Sequence, residues 1–420
     1  MYSARRSASS TIRTIADVRD SLIKASGMTE KWNISEPHRR VKILNPIADR
    51  SLLEPQPVSS SRCQFIIPVK SDLELREKYV NVHGRVRIGK LLEDLDYGAV
   101  IAGYKHNKRE NEDQTYSLSL VTAAVDQMMI HEPDTIPDDG DLQLHAHVSW
   151  VGSSSIEVTE SILQNDTIIL NAKFLIVARH SREDRAVPVN ELILETERER
   201  ADFAAGEEAK KMRKEYAKSS LLNAPPDVEE SHLIHEIFKS SINMSQRTFK
   251  RLSKSDSDIW MSDSDAHLKS SILCFPEQRN LYNKIFGGYV MRKALEHSKS
   301  NALIFSKCDV HPVFIDDISF RRPVSIGDLF FLSSQVCYTE DNLMMLRCHA
   351  EVKNPTTGFQ ETSNEFYFVF GAVDQNRSPL KVPEVKPRSY AEYMLYLDGR
   401  RRFKRFKEFL KRYHKPSSRM

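Results

Sequence analysis

Cysteine is scarce in this 420-residue chain and odd in number. The five, Cys63, Cys274, Cys308, Cys337 and Cys348, lie far apart and form no CxxC or HxxxH motif. This excludes a disulfide framework or a zinc ribbon and reads as buried thiols in a reducing compartment. Long hydrophobic runs are also missing, since no stretch approaches the roughly 20 apolar residues that a membrane-spanning helix needs. Strong charge of one sign is absent as well. A net charge of +3, with no helix-turn-helix, zinc-finger or aromatic RNA-platform signature, argues against nucleic acid as a partner.

What is present is ordinary globular material, with 40% hydrophobic and 28% charged residues. At one domain per ~150 residues the length suggests two domains plus extensions. The first residues carry Arg5, Arg6 and Arg13, many serines and no acid before Asp17, the composition of a mitochondrial transit peptide, with an ordinary basic tail as the alternative. Residues 50–62, with two prolines and a serine run, read as a linker, so folded structure should begin near Cys63. Residues 195–220 place acids before bases, as suits a helix macrodipole, and are expected to form a solvated connecting helix.

On either side of that connector the same order of elements recurs. A short apolar strand ends at Pro68 in one copy and at Pro276 in the other. A helix opened by glycine follows, from Gly89 and from Gly287-Gly288. Gly-Asp-Leu at Gly140 and at Gly327 then precedes two alternating strands with turn residues between them, and each copy closes on one further strand. A helix followed by a mostly antiparallel sheet is an α+β unit, not a doubly wound one. Each helix is too apolar to lie on a surface, with Leu91, Leu92, Leu95, Val100 and Ile101 in the first and Val290, Met291, Ala294, Leu295 and Leu303 in the second. A buried helix wrapped by a curved sheet accounts for this.

Two positions carry possible chemistry. Asn283 stands just before the paired glycines, where an amide side chain meets the free N–H groups of a helix start and can help hold a carbonyl oxygen as it gains charge. The same residues also suit a helix cap with close-packing glycines. Asp96 lies two turns into the first helix among apolar neighbours, where an unpaired charge is costly; it reads as a structural acid or as a general base or nucleophile. Glu93 and Asp94 project elsewhere and are expected to be solvated. Laid over one another, the copies place Gly84 opposite Asn283 and Leu295 opposite Asp96, with Glu296 one step round the helix. Each copy holds one polar half, and Asn283 and Asp96 can meet if the helices lie side by side.

The segments VRIGKLLEDLDYGAVIAGYKHNK, HVSWVGSSSIEV, NKIFGGYVMRKA, LFFLSSQVCYTEDN and YMLYLDGRRRF are similar, in this order, to the mitochondrial hotdog-fold acyl-CoA thioesterases. The resemblance spans roughly residues 62–403. It implies two tandem hotdog domains, each a long central helix wrapped by a curved antiparallel sheet, at residues 62–194 and 246–375. An N-terminal extension (1–61), a connecting segment (195–245) and a C-terminal extension (376–420) would flank them. It also implies hydrolysis of fatty acyl-CoA to free acid and coenzyme A in mitochondria, without metal or cofactor, by a homo-oligomer such as a trimer. Asp96 and Asn283 carry over as the acid and the amide of one site, with the Gly288 amide or its neighbour at the helix start on the carbonyl oxygen and Gly287 beside the substrate. The glycine pair is complete only in the second copy, because Ile88 precedes Gly89, so a second site is in doubt.

Weaker signals remain. Arg179, Arg182, Arg321 and Arg322 at strand ends suit coenzyme A phosphates or plain surface charge. His145 and His147 share a strand face but lack a third metal ligand. The stretch GRRRFKRFKEFLKRYHKP, with Phe403, Phe406, Phe409, Leu410 and Tyr413 among basic residues, forms a basic amphipathic helix suited to an anionic membrane surface or to a solvated tail. The rival readings are a hotdog hydratase, which needs a histidine a turn beyond the aspartate that this chain lacks, and a non-catalytic acyl-CoA-binding scaffold.

Overall fold

The computed structural model describes residues 13–14, 50–107, 118–130, 140–180, 185–246, 259–280 and 282–413. The chain is a mixture of helix and largely antiparallel sheet, as expected. In the N-terminal half, β1 (Cys63–Ile67) leads to α1 (Ile88–His106), β2 (Ser119–Val125), β3 (Met128–Ile130), β4 (Leu142–Val151), β5 (Ser155–Gln164) and β6 (Thr167–Arg179). Helices α2 (Glu197–Ser219) and α3 (Val228–Ser240) follow. The C-terminal half repeats the order with β7 (His267–Leu273), α4 (Gly287–Ser306), β8 (Asp309–Ile315), β9 (Ile318–Phe320), β10 (Leu329–Glu340), β11 (Leu343–Lys353), β12 (Gln360–Val373) and α5 (Tyr390–Tyr413).

One sheet runs through both halves in the order β1-β4-β5-β6-β2-β9-β12-β11-β10-β7, so each half is the other turned about a pseudo-twofold. The seam is made where β2 meets β9, with Val125 opposite Ile318, and where β3 meets β8, with Met129 opposite Phe314. These four short strands were not legible in the sequence, because they have only three to seven residues and little room for alternation to register. The core lies between sheet and helices. Leu91, Leu92 and Leu95 of α1 and Met291 and Ala294 of α4 are fully buried, whereas Leu303 is 39% exposed and Val100 only half-buried, short of the burial expected for them.

The flanking segments depart further from expectation. The linker is ordered: Gln56–Pro57 pairs in parallel with Leu192–Ile193, and Ser61 is buried, its hydroxyl accepting the Val148 N–H at 2.9 Å. Of the proposed leader, Arg13 and Thr14 pair with Phe65 and Ile66, and the rest lies outside the described residues. Helix α2 is largely exposed, as a connector should be, yet it occupies the place in its half that α5 occupies in the other. Gly206 of α2 sits against Trp150, and Gly399 of α5 against Cys337 and Tyr338. Arg213 of α2 bonds Asp126 at the end of β2 (2.6 Å), and Arg402 of α5 bonds Asp316 at the end of β8 (2.7 Å).

The membrane reading of the C-terminal helix is therefore corrected. Its apolar stripe is already covered by its own chain, with Phe403 and Phe406 at 1% and 0% exposure. Phe406 and Phe409 pack on Phe314 at 5.1 and 5.6 Å between ring centroids, and Phe403 packs on Tyr338 at 5.2 Å. An apolar face buried in this way is not available to lipid.

Candidate active site

Helices α1 and α4 pack against each other across the pseudo-twofold, and the approach is close because of glycine. A Cβ at Gly288 would lie 2.7 Å from the Glu93 Cα, a backbone atom that cannot swing aside. The first turn of α4 therefore lies directly on α1, and its free N–H groups face that helix. Asp96 receives one of them. Its Oδ2 accepts the Gly288 N–H at 2.6 Å and its Oδ1 accepts the Thr122 hydroxyl of β2 at 2.5 Å. With 1% of its surface exposed, the carboxyl is pushed up to about 6 by burial; the Thr122 and Gly288 donors pull the other way and the neighbouring Glu93 charge adds to the rise. A carboxylate that titrates near 6 is ionised at neutral pH and still basic enough to accept a proton.

Asp96 and Gly288 are thus brought together from the two halves. The Gly288 amide serves the carboxylate, and Gly287 stands one residue earlier, at the first helical position. Gly287 is flanked by the Asp96 carboxylate and the Phe320 ring, and the preceding Phe286 stacks on Tyr97 at 4.1 Å.

Asn283 lies in the turn that leads into α4, with φ +55°. Gly84, its counterpart, has φ +72°, so both copies need a residue that tolerates the left-handed region. The two described partners of Asp96 do not include Asn283. The turn itself is built by Asn280, whose Oδ1 accepts the Tyr282 and Lys284 N–H groups at 2.8 and 3.1 Å, as Asn81 does for His83 and Arg85 at 2.9 and 3.1 Å. Asn280 Nδ2 donates no hydrogen bond among the described residues. Sequence reasoning passed over this asparagine, although its recurrence three residues before Gly84 and Asn283 was the available signal. It also missed Thr122, which is supplied by one of the short strands. Tyr282 reaches over to bond Tyr104 of α1, closing the turn onto the other half.

Glu93 and Asp94 are not solvated. They are 6% and 2% exposed, because α4 covers the face of α1 that carries Glu93. Glu93 forms an ion pair with Arg292 of α4 at 3.0 Å, not an aligned hydrogen bond, and bonds Lys90. Asp94 accepts the Tyr79 hydroxyl at 2.6 Å, and burial pushes its carboxyl up to about 6. At the pseudo-symmetric position Leu295, 3% exposed, replaces Asp96. There Arg87 and Glu296 form an ion pair at 2.6 Å in place of the Phe286–Tyr97 stack. The acid beside the second helix start is Glu296, whose carboxylate lies against Gly89 and is taken up by Arg87.

Arg321 and Arg322 follow Phe320 at the rim of the site. They are 52% and 61% exposed at the side chain and are held by Glu365 (3.0 Å) and Glu361 (3.1 Å). Arg179 is exposed at the end of β6, and Arg182 lies outside the described residues. His145 and His147 are partly buried on β4, and among the described residues no group of three or more His, Cys, Asp or Glu is placed to hold a metal. Burial pushes the Cys63, Cys274, Cys337 and Cys348 thiols up to about 12, which removes them as thiolate nucleophiles at neutral pH.

A buried acid on one helix, aimed at the glycine start of another, is an arrangement that suits acyl-transfer hydrolysis. No family model matches the chain. It is 38% identical over 399 residues to mouse mitochondrial acyl-coenzyme A thioesterase 9, covering 93% of this chain and 88% of the mouse protein. The human mitochondrial acyl-coenzyme A thioesterase 9 gives 38% over 397 residues with the same coverage, and the mitochondrial acyl-coenzyme A thioesterase 4 of Humulus lupulus gives 34% over 359 residues, covering 82% and 65%. The chain belongs to this acyl-coenzyme A thioesterase family. Among solved structures, an acyl-CoA hydrolase from Staphylococcus aureus in complex with butyryl coenzyme A, coenzyme A and coenzyme A disulfide is 22% identical with a TM-score of 0.35, covering 37% of this chain and 93% of that one. A putative oleoyl thioesterase from Lactobacillus plantarum is 11% identical with a TM-score of 0.45, covering 75% and 96%.

Proposed function

We propose that this protein is a mitochondrial acyl-CoA thioesterase that hydrolyses fatty acyl-CoA to free fatty acid and coenzyme A at one composite site between two tandem hotdog domains. The observation that carries the reading is the bond between Asp96 of the first half and the Gly288 amide of the second. The domains are assigned to residues 62–194 and 246–375, each with its trailing helix, and the chain assembles as a homo-oligomer, with a trimer as the form the family resemblance implies.

The thioester carbonyl oxygen lies at the start of α4 and accepts the Gly287 N–H, so negative charge develops where a helix N-terminus already favours it. Ionised Asp96 takes a proton from a water as its oxygen attacks the carbonyl carbon. When the tetrahedral intermediate collapses, the C–S bond breaks and the proton held on Asp96 passes to the coenzyme A sulfur. A second route uses the same residues: Asp96 attacks the carbonyl carbon itself, and water then hydrolyses the mixed anhydride. Asn283, and beside it the Nδ2 of Asn280, orients the water or the carbonyl from the turn before α4. Arg321 and Arg322 stand where coenzyme A phosphates would exchange with Glu365 and Glu361.

The test is release of thiol from acyl-CoA by the full chain and by Asp96→Asn. The expected result is turnover that falls about 1,000-fold or more in the variant, as for loss of a general base or nucleophile. Absence of thiol release by the wild type would favour the scaffold reading. Single turnover in oxygen-18 water tests for the anhydride: label in Asp96 requires water to attack the aspartyl carbon of the anhydride, whereas label in the fatty acid alone arises from direct hydrolysis or from attack on the acyl carbon.

A further inference from the structure

Asp96 opens a row on α1. Val100 and Tyr104 follow it at intervals of four, so the three share one face of the helix and the row runs ~12 Å from end to end. Strand β2 lies beside it: Thr122 bonds Asp96 at one end, and the Leu120 N–H reaches the Tyr104 hydroxyl at 3.4 Å at the other. The segment that leads into α4 forms a third side, meeting Tyr104 through Tyr282 and Asp96 through Gly288. Solvent reaches the interval between these contacts, because Val100, Val121, Thr122 and Asn283 are each half-buried. The far end is shut. Tyr104, Ser119 and Leu120 are buried there, and the Tyr282 hydroxyl bonds that of Tyr104 and reaches Ser119 and the Leu120 backbone.

The second junction between the halves supplies a control. Lys299 takes the place of Val100, His311 that of Val121, and Leu303, 39% exposed, that of Tyr104. His83 takes the place of Tyr282 and meets Asp309 at 3.4 Å with 44% of its side chain exposed. Apolar walls and a buried hydroxyl end therefore stand beside Asp96 and not beside Leu295, which ties them to what Asp96 acts on and not to the packing of the halves alone. Of the two parts of an acyl-CoA, coenzyme A carries the phosphates and suits the exposed rim at Arg321 and Arg322. The acyl part suits valine walls and a closed end.

We propose that the row from Asp96 to Tyr104 floors the acyl groove and that the Tyr104–Tyr282 pair is its end stop, which makes straight acyl chains of medium length the preferred substrates. This deepens, and rests on, the reading of Asp96 and the start of α4 as the hydrolytic site. A path of ~12 Å holds on the order of ten carbons, since each carbon–carbon bond of about 1.5 Å advances a zigzag chain by somewhat less. Val100, midway along, touches the chain, and Tyr282 decides where the chain ends.

The experiment is calorimetric titration of the full chain with the thioethers S-butyl-, S-decyl- and S-hexadecyl-coenzyme A, which carry the chain but no bond to hydrolyse, beside thiol release from acyl-CoA. In the wild type the decyl compound should bind at least about tenfold tighter than the butyl one, and the hexadecyl compound no tighter than the decyl one. Val100→Phe fills the groove and should abolish the gain from butyl to decyl. Tyr282→Ala removes the stop and should let the hexadecyl compound bind at least about tenfold tighter than the decyl one; if that variant does not fold, Val100→Phe carries the test. Both readouts are ratios within one protein, which a general loss of stability does not move. A wild-type affinity that is flat from butyl to decyl or still rising at hexadecyl, or a folded variant with the wild-type profile, overturns the proposal. The expected length profile without thiol release overturns the catalytic reading alone, and thiol release with a flat profile overturns the groove alone.

Discussion

Asp96→Asn should make the protein more stable as it makes it inactive, and the size of the gain follows from the burial of one carboxyl. Raising the group from 3.8 to about 6, at roughly 1.4 kcal/mol per factor of ten, means that its charged form costs the fold about 3 kcal/mol relative to the unfolded chain at neutral pH. The sign is fixed by proton uptake. Between pH 4 and 6 the folded carboxyl holds a proton that the unfolded one has released, so this contribution to stability falls as pH rises through that window and is constant above it. Asparagine removes the charge while its Oδ1 can still accept the Gly288 N–H and its Nδ2 can donate to the Thr122 hydroxyl, so the two bonds at 2.6 and 2.5 Å need not be lost. Removing the Asp96 charge also relieves the buried Glu160, whose proton affinity that charge raises, which adds in the same direction. The assay is thermal unfolding of both proteins at pH 4 and pH 7.5, beside thiol release. Little difference is expected at pH 4, and an advantage of roughly 4 °C for the variant at pH 7.5. The acid limb of kcat/KM in the wild type should fall near pH 6. A variant that turns over acyl-CoA, or whose advantage does not grow with pH, would refute the reasoning.

Asn283→Gly separates backbone from side chain, because Gly84 already occupies the equivalent left-handed position; turnover should fall roughly 100-fold with thermal stability little changed, and unchanged turnover would remove the side chain from the mechanism. Glu160 is fully buried and neither oxygen has a hydrogen-bond partner among the described residues, and burial, then the Asp96 charge, raises its carboxyl well above the ordinary range. Glu160→Met should therefore stabilise by about 2 kcal/mol at pH 8, with the gain shrinking toward pH 4, as read by urea denaturation at the two pH values. Arg402→Ala leaves the buried Asp316 carboxylate with Arg405 at 3.1 Å and takes the guanidinium off the Tyr367 ring; a loss of about 3 kcal/mol in urea denaturation is expected. Equal stability would show that α5 is not held to β8 by this pair.

Much of the candidate site could be read from sequence because duplication supplied its own reference. A single buried acid on a helix is ambiguous, but Asp96 opposite Leu295 and a complete glycine pair opposite Ile88-Gly89 point to one asymmetric site. What stayed hidden depended on contacts between the halves. Glu93 and Asp94 look solvated on an isolated α1, and only the covering by α4 makes Glu93 and Arg292 partners. Thr122 stands on a seven-residue strand whose place is set by pairing with β6 and β9. The amphipathic pattern of α5 says that one face needs an apolar partner but not which one, and the partner proved to be the second half of the same chain, through Phe314. Helices α2 and α5 occupy equivalent places on surface patterns that share little beyond Gly206, Gly399 and the arginines that follow them.

The contact between α1 and α4 explains why one chain suits this arrangement better than two identical copies would. Glu93 and Arg292 occupy the same position in the two halves and meet each other, so they lie on the pseudo-twofold axis. In a symmetric dimer a residue on the axis faces its own copy. Glu93 would then face a second glutamate, or Arg292 a second arginine, at an exposure below ~10% for the acid, where like charges are strongly unfavourable. Covalent duplication lets that position carry opposite charges, and the pair then favours first half against second half over either half against itself. The same release from symmetry lets Asp96 become Leu295 and Val100 become Lys299 on the far side. One side keeps the acid and the helix start, and the other is free to change its chemistry.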